Sequence, residues 1–194
     1  MASTKITHLY DDYNQAQNAV RELEAAGFSS NDVSIVSRFR DNGELMDEAS
    51  GTATGASVGA LAGAGTGLLT ALGVIAIPGL GPLVAAGVLA TTLAGAATGA
   101  AAGGVVGALT DYGVSDDDAH VYSEGVRRGG TLVSVQAADD RAALAARDIL
   151  NCNRPVDLPA RRKSYTDEGW TTYDPSAAGY TRDEVRAERD RRRR

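Results

Sequence analysis

From Gly51 to Thr110 the chain runs sixty residues without a charged side chain, and within that run small residues fall at four-residue intervals. Gly51, Gly55, Gly59, Gly63 and Gly67 form a first row, and Gly87, Thr91, Gly95, Gly99, Gly103 and Gly107 a second. On a helix such a row is a flat groove along which another backbone can approach closely. An interior glycine costs a helix about 0.8–1 kcal/mol against alanine, so a row of them has to be offset by close packing. Between the rows Pro78, Gly79, Gly81 and Pro82 break helix and turn the chain. The pattern predicts a hairpin of two helices, over 53–77 and 83–109. Each would be about 37–40 Å long at 1.5 Å per residue, enough to cross the roughly 30 Å hydrocarbon core of a bilayer.

Aliphatic residues lie opposite the rows: Val58, Leu61, Leu68, Leu69, Leu72, Ile75 and Ile77 in the first segment, Leu83, Val88, Leu89, Leu93, Val105, Val106 and Leu109 in the second. One row can close the hairpin, which leaves these aliphatics in need of lipid or further subunits. The open readings are self-association into a homo-oligomer, insertion into membrane lipid, and a hairpin folded onto itself. The flanks Asp47, Glu48 and Asp111 are acidic where a membrane anchor usually offers Lys or Arg. Both ends of the hairpin fall on one side, so insertion would be a dip that keeps the flanking domain in the cytoplasm.

The flanks read as two halves of one small α/β domain. In residues 1–50, KITHLY over 5–10 is a strand, and Asp12 with Gln15 opens a helix as in a capping box. Ala16, Ala19, Val20 and Leu23 make that helix's apolar stripe, Gly27 ends it, and VSIVS over 33–37 is a second strand. In residues 111–158, Ser115 caps a helix, TLVSVQA over 131–137 is a strand, and Asp139 opens a helix carrying Ala143, Ala146 and Leu150. A short last strand is expected over 156–158 after Pro155. The order predicts an α+β fold, a ferredoxin-like split βαβ sandwich with the long glycine-zipper hairpin over 51–110 inserted into it. Residues 159–194 read as a disordered charged tail apart from a helix over 181–194.

Charge and chemistry narrow the function. Residues 1–158 hold 9 Lys/Arg against 18 Asp/Glu and residues 159–194 hold 10 against 7, so an acidic body carries a basic tail. Such a body repels nucleic acid. Cys152 is the sole cysteine, which fits a reducing cytoplasm, and the polar start from Met1 to Lys5 lacks the pattern of a signal peptide. The run from Gly63 to Gly67 lacks the preceding strand and Lys-Ser/Thr pair of a phosphate loop. His8 and His120 stand far apart, and no serine or cysteine sits in a nucleophile motif. The expectation is therefore no catalytic residue, no metal, no cofactor and no small-molecule substrate. The alternative is a soluble small-ligand-binding or regulatory module.

Three stretches together resemble a family: ITHLYDDYNQAQNAVRELEAAGFSSNDVSIV, the glycine-rich segment, and DYGVSDDDAHVYSEGVRRGGTLVSV. They look like the bacterial heat-induced general stress proteins, over about residues 5–158. The resemblance implies a stress-induced protein, cytoplasmic or membrane-associated, without established catalysis. It does not reach the tail.

Overall fold

The computed structural model describes residues 3–38, 73–77, 81–97 and 104–192. Its sheet has five strands: β1 (Thr4–Tyr10), β2 (Val33–Ser37), β3 (Gly73–Ile77), β4 (Gly81–Ala86) and β5 (Thr131–Ala137), in the order β1-β5-β2-β4-β3 with every neighbour antiparallel. Because β1 and β2 both oppose β5, they run parallel to each other. Helix α1 (Tyr13–Ala25) connects them as the expected split βαβ unit.

The fold is α+β, but two features depart from the ferredoxin-like order. No strand forms at 156–158: the Val156 N–H makes one bond to the Leu9 carbonyl at 2.7 Å. Asp157 then accepts from the Ala160 N–H at 2.8 Å and starts α6 (Leu158–Asp167), with proline in its first turn. At the far side of β2 the sheet is extended by β4 and β3.

That extension corrects the expected helical hairpin on both sides of its turn; residues 53–72 and 98–103 of it lie outside the described residues. Residues 73–77 and 81–86, expected at the two helix ends nearest the turn, pair as strands, and the described helices are short: α2 (Val88–Ala97) and α3 (Gly104–Asp111). The β-branched residues Val74, Ile75, Ile77 and Val84 favour a pleated backbone. Pro82 opposes Ala76 of β3, whereas β2 overlaps β4 only from Val84 to Ala86, so the missing proline N–H interrupts no ladder with β2. Gly81 and Pro82 thus belong to a β-hairpin rather than a helical one.

Helices cover both faces. On one lie α1 and α5 (Asp140–Cys152), closing a core of Ala16, Val20, Leu23, Ala146 and Leu150 against Val33, Ile35, Val133 and Val135. On the other lie α2, α3 and α4 (Asp116–Arg127), whose Leu89, Leu93, Val105, Leu109 and Tyr122 pack with Leu9, Val36 and Leu132. Alternation within the strands divides their residues between these faces. In-register hydroxyls bridge strands, Thr7 to Ser134 at 2.9 Å and Ser37 to Thr131 at 2.8 Å. The caps expected from sequence form at Asp12, Ser115 and Asp139. Gly27, at φ 92°, ends α1 as expected.

The C-terminal region is folded onto this body. Helices α6 and α7 (Arg182–Arg192) bury Tyr165, Tyr173, Val185 and Glu188. Only the α7 part of this was expected.

Candidate functional site

Gly51, Gly55, Gly59, Gly63 and Gly67 lie outside the described residues, as do Gly99, Gly103, Pro78 and Gly79. In the second row Thr91 and Gly95 are on α2 and Gly107 on α3, but Gly87 precedes α2 at φ 85°. A Cβ on Gly87 would come 2.0 Å from the Val33 carbonyl oxygen, so this glycine lets the chain press onto β2. Beside it the Leu89 N–H donates to Ser34 Oγ at 3.1 Å. Thr91 is exposed and its hydroxyl donates to the Val88 carbonyl. Leu89, Leu93, Val105 and Leu109 are buried in this chain's own core, which corrects the expectation that they need outside company. Val88 is 41% exposed.

Side chains from distant parts of the chain meet instead at the C-terminal end of α4. Gly125 and Gly130 bring that end close to β1, since a Cβ on Gly130 would lie 2.9 Å from the Gly125 carbonyl and from Leu9 Cδ1. The approach draws Glu124 and Arg128 below the surface. Arg128 Nε donates to Glu124 at 2.6 Å, and its Nη1 donates to Glu168 at 2.5 Å and to Glu188 at 3.4 Å. Its guanidinium carbon sits 4.1 Å from the centre of the Tyr165 ring. The side chains of Arg128, Glu124 and Glu188 are 6%, 1% and 3% exposed, so the charges survive burial only as a set. Burial acts against the Arg128 charge, but Glu124 and Glu168 outweigh it and hold its proton more tightly than usual. For Glu188, burial pushes the carboxyl up, and Arg192, Arg191 and Arg128 together bring it below its ordinary range.

Two further junctions fasten the same region. Asp11, just after β1, accepts from Arg161 at 2.9 and 2.6 Å and from Arg192 at 2.6 Å. Burial raises the Asp11 carboxyl, and the two arginines more than reverse this. At the end of β2, Arg38 Nη1 donates to the carbonyls of Arg127 at 2.8 Å and Tyr180 at 3.1 Å, while the Tyr180 N–H donates to the Arg127 carbonyl. Between these junctions burial pushes the Tyr173 hydroxyl up to about 12.

This arrangement joins segments; every carboxylate in it is engaged by a guanidinium, which leaves no poised base. Among the described residues no group of three His, Cys, Asp or Glu side chains could hold a metal ion. His8 is on β1 and His120 on α4, where its ring meets Thr172 at 3.0 Å. Cys152 is an exposed free thiol. A crevice of about 230 Å³ beside the Asp11 junction is lined by Asp12, Gln15, Arg154 and Arg189 among others, and is of mixed charge.

Sequence reasoning missed Arg128, Glu124, Asp11, Arg38 and Tyr165. The usable signals were a double arginine followed by two glycines at 127–130, and aromatics spaced through a charged tail at Tyr165, Trp170, Tyr173 and Tyr180.

A family model described as the heat induced stress protein YflT domain matches residues 5–73. No curated protein matches. No solved structure does either.

Proposed function

We propose, from the match of residues 5–73 to the heat induced stress protein YflT domain, that the chain acts without catalysis, by self-association through the row Gly51 to Gly67. The observation that carries this reading is where the intervening segment leaves and rejoins the body. Ser37, at the end of β2, is in register with Val84, and Val84 with Val74 of β3. Departure and return are thus at one level of the sheet and two strand spacings apart, about 10 Å. Whatever residues 39–72 do is done from one place on the domain. Their uncharged part, with Val58, Leu61, Leu68, Leu69 and Leu72, is the share of the long run that the described core leaves unaccounted for.

No described helix is long and apolar enough to cross a membrane, and self-association is favoured over membrane insertion on the charge of the flanks. The acidic flanks Asp47, Glu48 and Asp111 lack the charge that anionic lipid attracts. The proposed setting is the cytoplasm, with both flanks of the segment on that side. Close helix packing along the glycine row would supply dispersion contacts over a continuous groove.

Light scattering after size exclusion tests this on the full chain, with Gly59→Leu and Gly99→Leu together as the disruptive variant. The expected result is an oligomer that dissociates in the variant while the α/β body stays folded. A monomer before mutation, or an unchanged mass after it, rejects self-association. Co-sedimentation with anionic vesicles in place of self-association would point to lipid.

A further inference from the structure

We propose that residues 158–192 are a charge-fastened latch, which restrains helices α2 and α3 and the end of β2 against the body. The chain turns out of α5 through Arg154, at φ 57°, and Pro155, so the latch begins at a sharp local bend. It is then held at three separated points: Arg128 to Glu168 and Glu188, Asp11 to Arg161 and Arg192, and Arg38 to Tyr180. Few apolar side chains contribute, Tyr165, Tyr173 and Val185 being the buried ones.

The latch controls two places that matter for the segment between them. Tyr173 enters the apolar cluster that contains Leu89 and Leu93 of α2 and Val105 and Leu109 of α3. Gly179 lies flat on the Arg38 guanidinium, where a Cβ would be 2.3 Å from Cζ. Arg38 is the residue from which the chain leaves β2 toward residues 39–72. Docking therefore grips the departure point and, through Tyr173, completes the apolar cluster in which the helices that follow the return are packed. Within this attachment the Asp11 and Glu168 carboxylates, 35% and 38% exposed, are the members that added salt screens most.

Hydrogen–deuterium exchange on the full chain tests the latch, using Glu188→Lys with Tyr173→Ser to undock it. Loss of protection in α6 and α7, with amides in α2 and α3 exchanging about tenfold faster while α1, α5 and β1 hold theirs, is the expected result. Unchanged exchange in α2 and α3 once α6 and α7 exchange freely overturns it. So does simultaneous loss of protection everywhere, which would make the segment an ordinary part of one cooperative unit. Should that variant fail to fold, Asp11→Asn with Glu168→Gln removes acceptors that are only 35% and 38% exposed and gives the same readout. The latch stands apart from the self-association reading: faster exchange in a chain that is a monomer in light scattering keeps the latch and removes self-association, and an oligomer whose α2 and α3 exchange stays unchanged on undocking does the reverse.

Discussion

Arg128 and Glu188 meet at 3.4 Å across sixty residues of sequence, each almost wholly shielded from water. Arg128 is the shared partner of three carboxylates, and its removal would leave Glu124 to Arg127 alone and Glu188 to Arg191 and Arg192. Arg128→Ala is therefore expected to destabilise the chain by about 1–3 kcal/mol in urea unfolding. Adding Glu124→Gln and Glu188→Gln to it should recover part of the loss. A cost under about 1 kcal/mol for the single variant would show that the set is not closed to water.

Acid should undock the C-terminal segment. Asp11 and Glu188 both titrate below the ordinary carboxylate range in the folded chain. A carboxyl with a depressed folded pKa stabilises fully above its unfolded value, about 4, and loses that contribution as pH falls through the folded value. Docking is thus expected to be constant from neutral pH to about pH 5 and to fail below about 4. Trp170, the only tryptophan, lies in this segment with its ring 5.7 Å from that of Tyr165, so its fluorescence reports the event. A signal that shifts between pH 8 and 6 would assign the docking to other groups.

Gly87→Ala should be far worse than Gly27→Ala. Both glycines have positive φ, 85° and 92°, and share the strain of a left-handed residue, about 1–2 kcal/mol. At Gly27 a Cβ meets nothing within 4 Å, whereas at Gly87 it meets the Val33 carbonyl at 2.0 Å. The added clash is expected to cost a further 1–3 kcal/mol or so in thermal or urea unfolding. Equal costs would refute the close approach to β2.

Leu93→Ala tests whether α2 is core. Leu93 is 1% exposed within this chain, so its truncation should destabilise the fold by about 2–5 kcal/mol at any protein concentration. Leu144, 61% exposed on α5, should tolerate serine within about 0.5 kcal/mol. A Leu93→Ala cost that appears only in an oligomer would return that residue to an intersubunit role.

The parts of the fold legible in the sequence are those with local punctuation. Asp12, Ser115 and Asp139 announce helix starts, and stripes such as Ala16, Ala19, Val20 and Leu23 announce a buried face. Residues 73–86 were not legible as strands because a short, uncharged, mostly apolar run has neither a 3.6-residue nor a two-residue period to read. The four-residue spacing of small residues suggested two helical rows on either side of a turn, although Gly87 serves a backbone contact and the turn residue Gly81 a strand. The ionic junctions were invisible for another reason. Asp11 finds Arg161 and Arg192 at separations of 150 and 181 residues, and no periodicity within a window can register such pairs. Charged side chains also look like solvated surface until their partners are known.

The short, fixed gap between Ser37 and Val74 on the sheet makes the domain nearly indifferent to how much chain is threaded between them. Closing a loop across a fixed short gap becomes costlier only slowly with length, about 0.6 kcal/mol for each doubling. Variants with shortened or expanded insertions at this position can therefore keep the same body, and what the insertion does can diversify without the scaffold being redesigned.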